Sequence, residues 1–191
     1  MRLTGLKGCE SVTAVGLIYY PGEKELELCK RAVWVTMGKV EVPKKPLSSE
    51  LLKKLLTARH SPIRVLNFGF SITGIPSNIA THLVRHVHAV PFVSTLRNDR
   101  QEKIDGDLAP RNTPVDMIFY CNAEELMVIA NKRLCNLASQ KTREVVQMMC
   151  EEVLKRFPEF DGLFVPMCGY HGGVCHEING CGKCKNGVMD E

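Results

Sequence analysis

The chain has 191 residues, 45% of them hydrophobic, nine cysteines and a formal net charge of +4. That length buries one sizeable core, so residues 1–165 are expected as a single domain, with 166–191 as a Cys-rich tail. No apolar run approaches the ~20 residues of a membrane span, Met1–Lys7 lead into no apolar export segment, and the mild basicity permits an anionic ligand without demanding nucleic acid.

Residues 12–20 are apolar and β-rich and stop at the Pro21-Gly22 turn signal. Residues 23–37 then have helical spacing, with Leu26, Cys29, Ala32 and Val33 on one side. Ser48-Ser49-Glu50 caps a second helix to Ala58, striped by Leu51, Leu52, Leu55 and Leu56. His60-Ser61-Pro62 ends it, and a strand is expected over 64–72. Gly74-Ile75-Pro76 turns the chain into a helix over 78–87, and residues 92–96 read as extended. The polar stretch 99–114 has no periodicity and reads as a long loop. A strand over 115–121 follows, then a helix capped by Asn122 and reaching Leu137, then one capped by Ser139 and reaching Arg156. Trp34, Met148 and Met149 are expected in the core or at an interface. The element order is too irregular for alternating βαβ units. It predicts an α/β protein of the α+β kind, a mixed central sheet with packed helices.

Chemistry gathers at His82-Leu83-Val84-Arg85-His86-Val87-His88 and at Ser94-Thr95-Leu96-Arg97. On a helix, His82, Arg85 and His86 share one face. The planar, always-charged guanidinium suits phosphate. Thr95 and Arg97 point the same way if their segment is extended. Two readings follow: a nucleotide-phosphate site, or a solvated helix end with structural histidines.

The ordered set of motifs resembles the flavin-dependent thymidylate synthases, which are recognised by Arg-His-Arg, about seven residues, then Ser, any residue, Arg. Here Arg85-His86-Val87 is followed by seven residues and then Thr95-Leu96-Arg97. His60-Ser61-Pro62 resembles the family's segment before its sheet strand. Asn131-Lys132-Arg133-Leu134 and Arg143 are similar to its Asn-x-Arg-Leu and helix-borne Arg. The similarity runs from Leu17 to Pro158.

The resemblance implies a homotetramer that binds FAD and reductively methylates dUMP to dTMP. Methylenetetrahydrofolate would be the carbon donor, and NADPH would reduce the flavin. By position, Arg85, His86, His60, Ser61, Asn131 and Arg133 would contact FAD. His82, Thr95, Arg97 and Arg143 would hold the nucleotide, with Arg143, Thr95 and Ser94 at the reacting pyrimidine. The chain departs from the family at Val87 (an Arg), Arg64 (a Glu), His82, Val93, Asn98 and Leu137. Those changes leave open a related pyrimidine-nucleotide enzyme, such as a hydroxymethylase, or a catalytically silent, zinc-containing nucleotide- or nucleic-acid-binding protein on the same scaffold.

The tail spaces Cys168, Cys175, Cys181 and Cys184 among glycines, with His171 and His176 between them. Soft ligands so spaced suit a tetrahedral zinc, an iron–sulfur cluster is the less natural fit, and free thiols are the third possibility. Lys183 and Lys185 have no interleaved aromatics beyond Tyr170, so nucleic acid is not expected. An odd cysteine count with no export segment points to a reducing cytoplasm, with Cys9, Cys29, Cys121, Cys135 and Cys150 as packing residues or plain thiols.

Overall fold

In the computed structural model of the chain, residues 13–102 and 104–186 are described. Cys9 and Val12 lie outside them. Four strands form one sheet in the order β1-β2-β4-β3: β1 (Ala14–Tyr19), β2 (Asn67–Pro76), β3 (Ala89–Val93) and β4 (Pro114–Asn122). The α+β class is as expected, and every pairing in this sheet is antiparallel.

Alternation decides which face is inside. On β4, Val115, Met117, Phe119 and Cys121 are buried while Asp116 and Ile118 are exposed. On β2, Phe68, Phe70 and Ile72 are completely buried. One extra residue between Ile72 and Ile75 makes a bulge that returns Ile75 to the inner face. Gly74, at φ 66°, supplies the left-handed backbone there, and its N–H donates to Asp116 Oδ1 at 2.9 Å.

The expected strand over 64–72 starts later, because Ser61–Val65 is a 3-10 turn with Pro62 in its first positions. The Ile63 N–H closes that turn on the His60 carbonyl at 3.0 Å.

Among the described residues six helices accompany the sheet: α1 (Glu23–Thr36), α2 (Ser49–Thr57), α3 (Ser77–Val84), α4 (Ala123–Arg133), α5 (Gln140–Leu154) and α6 (Met167–Tyr170). Ser48, Asn122 and Ser139 each accept a backbone N–H as side-chain caps. Cys29 and Val33 of α1, Leu52, Leu55 and Leu56 of α2, and Val145, Val146, Met149 and Val153 of α5 complete one continuous core. Lys30 is buried within α1, where the periodicity gives no reason for a charge. Its ammonium donates to the carbonyls of Pro43 (2.9 Å) and Lys45 (2.8 Å) and pairs with Glu27 at 2.5 Å. A cation thus helps pin the irregular connection between α1 and α2, in which Leu47 packs against the core.

In the stretch expected as a long loop, the described residues between β3 and β4 form turns organised by Asn98, which donates to Asp105 and accepts the Gly106 N–H at 2.6 Å. A Cβ on Gly106 would sit 1.8 Å from the Leu96 carbonyl oxygen, so the close approach needs glycine. In the tail, short strands β5 (Val174–Cys175) and β6 (Lys185–Asn186) pair in parallel. Among the described residues no helix is long and apolar enough to cross a membrane.

Candidate functional site

The helix expected to reach Val87 ends three residues earlier, and Arg85 is its C-terminal cap. The shared helical face of His82, Arg85 and His86 is therefore replaced by a turn, which closes through Ala89 N–H to the His86 carbonyl and enters β3. That turn sends two neighbours in opposite directions. Arg85 is exposed, whereas His86 is 8% exposed and faces α4.

Both His86 nitrogens are used. Nδ1 lies 3.1 Å from Glu125 Oε1, and Nε2 lies 3.0 Å from the Arg133 Nε. A guanidinium can only donate, so Nε2 is the unprotonated nitrogen and Nδ1 carries the hydrogen given to Glu125. Burial, then the charges of Arg133 and Lys132, push the His86 pKa down to about 4. At neutral pH, His86 and Glu125 thus form a hydrogen bond between imidazole and carboxyl rather than an ion pair. Burial raises the Glu125 carboxyl above its ordinary value. The remaining reach of Arg133 goes to the His82 carbonyl, 2.7 Å from Nη2.

These residues floor an open cavity of about 510 Å³ between the α3–β3 turn and α4. Its cationic lining is Arg85, Lys132 and Arg133, with His88 beside them. Its apolar wall is Val87, Val128, Leu137 and Ala138, and Glu177 reaches it from the tail. Arg85 makes no ion pair among the described residues, and its charge opposes that of Arg133. Two guanidiniums and an ammonium facing one space suit an anion, and the carboxyl groups on the same lining are those of Glu125, turned to His86, and Glu177.

Lys132 and Val128 line the cavity but were not among the candidate contacts, nor was Glu125; Leu137, noted as a departure from the family, lines it too. The only sequence signal for Glu125 was a first-turn acid three residues after a capping Asn. Such a Glu ordinarily reaches back to the cap's own N–H, as Glu25 does to Gly22 at 3.0 Å. Glu125 turns to His86 instead.

Within this one chain the other candidates lie elsewhere. His82 bonds through Nδ1 to the buried Thr142 hydroxyl at 2.8 Å. Asn131 is fully buried; its amide donates to the Val165 carbonyl at 2.6 Å and accepts from Arg59, so it faces protein rather than the cavity. His60 borders a separate apolar cavity with Val33 and Leu55, next to the exposed Ser61. Arg143 borders a third cavity and donates to the carbonyls of Asn136 and Ala138.

Ser94 extends the β3–β4 ladder, its N–H on the Asp116 carbonyl (2.8 Å) and its hydroxyl accepting the Asp116 N–H. β3 stops at Val93, so Thr95 and Arg97 do not share an extended face. Thr95 Oγ1 caps the Arg97 N–H, and Arg97 is forked onto Asp99 at 2.9 and 2.7 Å. Arg64 is spent on Glu124.

The zinc expectation finds no support. Among the described residues no group of three or more His, Cys, Asp or Glu is arranged to hold a metal ion. The tail thiols are neighbours nonetheless. The Cys184 thiol is pushed up to about 11, first by its hydrogen bond to Cys168, then by burial and by the charges of Cys168, Cys181 and Cys175.

The His86 shift has a consequence for stability. Its folded value lies below the ordinary 6.5, so the unfolded chain takes up this proton first as pH falls. Stability is full above pH 6.5 and declines toward pH 4. Glu125 opposes this, since its raised pKa favours the folded state over its own window, but the His86 shift is the larger. Between pH 7 and 5 the wild type is expected to lose roughly 1–2 kcal/mol more than His86→Gln. Urea melts at the two pH values measure it, and equal losses in both proteins would refute it.

No protein-family model matches the chain, and no curated protein matches it. Solved structures do. The thymidylate synthase ThyX from Helicobacter pylori, with FAD and dUMP, is 17% identical over 80% of this chain and 97% of that one, with a TM-score of 0.62. A second structure of the Helicobacter pylori enzyme, complexed with FAD and dUMP, gives 17%, 78%, 97% and 0.62. The UMP/dUMP methylase PolB from Streptomyces cacaoi, bound with 5-Br dUMP, is 16% identical over 81% of this chain and 95% of that one, with a TM-score of 0.64. The chain has the fold of these flavin-dependent thymidylate synthases and of the related methylase.

Proposed function

We propose that the chain is a divergent FAD-dependent methyltransferase that converts dUMP to dTMP, with methylenetetrahydrofolate as carbon donor and NADPH as reductant. The observation that carries this reading is the cavity at Arg85, on a fold shared with proteins solved with FAD and dUMP. Its lining fits FAD in donor chemistry: clustered guanidiniums and an ammonium suit a diphosphate, and an aliphatic wall suits a flat ring. Arg85, Lys132 and Arg133 would hold the diphosphate, and Val87, Val128 and Leu137 would cover the ring. FAD, when bound, supplies the hydride chemistry.

The protein's share is placement and charge. In this reading Thr95 and Arg97 bind the nucleotide phosphate and Arg143 polarises the pyrimidine. These three lie away from the cavity of their own chain, so a neighbouring copy supplies them in a homotetramer. The outer sheet face supports assembly, since Ile18, Val90, Phe92 and Ile118 are exposed there, Phe92 by 64%.

A second reading keeps the scaffold, the flavin and the pyrimidine nucleotide but changes the product, for instance to a hydroxymethyl group. Val87 favours it: an exposed aliphatic side chain at the cavity replaces the family's second arginine.

One experiment tests both. The purified chain, incubated with FAD and desalted, is expected to keep flavin absorbance. With dUMP, NADPH and methylenetetrahydrofolate it is expected to release a nucleotide heavier by one CH2 unit, a methyl group in place of a hydrogen. A hydroxymethyl product supports the second reading. A colourless protein after loading overturns both.

A further inference from the structure

We propose that Glu125 is a positioning residue that aims the Arg133 guanidinium at the cavity by fixing the tautomer of His86. The proposal rests on the FAD-binding reading for its ligand-binding arm, and on geometry alone for the rest.

Three side chains form a line: Glu125 Oε1 to His86 Nδ1 at 3.1 Å, and His86 Nε2 to Arg133 Nε at 3.0 Å. Each link fixes the next. An acceptor at Nδ1 forces the hydrogen onto Nδ1, which leaves Nε2 as a lone pair. Only that lone pair accepts from the Arg133 Nε. In the other tautomer two N–H groups would face each other across 3.0 Å. With Nε and one Nη2 hydrogen spent on His86 and on the His82 carbonyl, the guanidinium plane is set and its remaining donors face the cavity.

Glu125 is well held for this work. It lies in the first turn of α4, its N–H donates to the Asn122 cap at 2.9 Å, and its side chain is 7% exposed. The chemistry needs an acceptor there, not a charge. That distinction separates positioning from simple electrostatics.

The test compares wild type, Glu125→Gln and Glu125→Leu by nitrogen-15 NMR of the His86 ring and by FAD titration. Wild type and Glu125→Gln are expected to show the Nδ1–H tautomer, because a glutamine carbonyl accepts as the carboxyl does. Glu125→Leu is expected to populate the Nε2–H form and to bind FAD roughly ten- to a hundredfold more weakly. Equal affinity for all three with an unchanged tautomer overturns the proposal, as does a Gln variant as weak as Leu. Should Glu125→Leu fail to fold, Glu125→Gln still decides, since a loss of the Nδ1–H tautomer there overturns it. Should wild type bind no FAD, the FAD reading fails while the NMR comparison still judges Glu125.

Discussion

Replacing Arg133 with methionine is expected to cost the most of any single change in the cavity, in stability and in ligand binding together. The methylene stem is kept, so packing along α4 changes little. What disappears is a fork that ties the α3–β3 turn to α4: the bond to His86 Nε2 and the bond to the His82 carbonyl. Glu125 still holds the Nδ1 hydrogen, so His86 cannot change tautomer to rescue itself, and its Nε2 is left buried without a donor. An orphaned buried acceptor costs about 1–3 kcal/mol, and the freed carbonyl adds to it. A total of roughly 2–4 kcal/mol corresponds to a drop in Tm of about 5–12 °C for a chain of this size. The anion site also loses one of its two facing guanidiniums, and FAD affinity should fall about ten- to a hundredfold. Arg133→Lys separates the effects. An ammonium restores charge to the site but cannot form the planar pair of bonds, so affinity should recover in part while Tm stays low. Calorimetry and FAD titration on the three proteins read both. A methionine variant that melts and binds like wild type would refute the assignment.

The sequence was most legible where structure is local. Asn122 and Ser139 were readable as caps, because a short acceptor before an apolar period does one thing. The short strand expected over 115–121 is likewise present, as β4. The end of α3 was not readable. Nothing in Val84-Arg85-His86-Val87 breaks a helix, and what stops it is tertiary: Arg133, far along the chain, takes the His82 carbonyl, and β4 draws Ala89 into the sheet. The same cause hid the site's wiring. Arg85, His86 and Arg133 were identified from a family pattern, but their division of labour depends on which way each side chain turns. His86, expected to meet a ligand, is enclosed by protein and sets the aim of its neighbour. Asn131, one residue from Lys132, faces away from the cavity and fastens Val165. Neighbours in sequence diverge in a helix, and only packing says which of them reaches the pocket.

Phe160→Ala is expected to be the most destabilising change in the core, and its effect should reach the cavity through the tail. Phe160 is 1% exposed, stacks on Phe164 at 5.0 Å and 13°, and meets Phe68 edge-on at 5.7 Å and 82°. Removing a buried ring of this kind costs about 3–5 kcal/mol, a drop in Tm of roughly 8–15 °C. Phe164 then loses its stacking partner just before Val165, whose carbonyl Asn131 holds. Beyond it, Tyr170 lies under the Arg59 guanidinium at 4.1 Å. These contacts precede, in chain order, the point where Glu177 reaches the cavity. Weakening the first should raise amide exchange over residues 165–177 more than the global loss alone explains. Phe160→Leu, which refills most of the volume, should cost under half as much and leave tail exchange near wild type. Hydrogen-exchange mass spectrometry alongside urea melts distinguishes the two effects. If Phe160→Ala destabilises the core but leaves tail exchange in step with the global value, then Asn131 and Arg59 suffice to seat the tail. Glu177 would then reach the cavity without help from the aromatic stack.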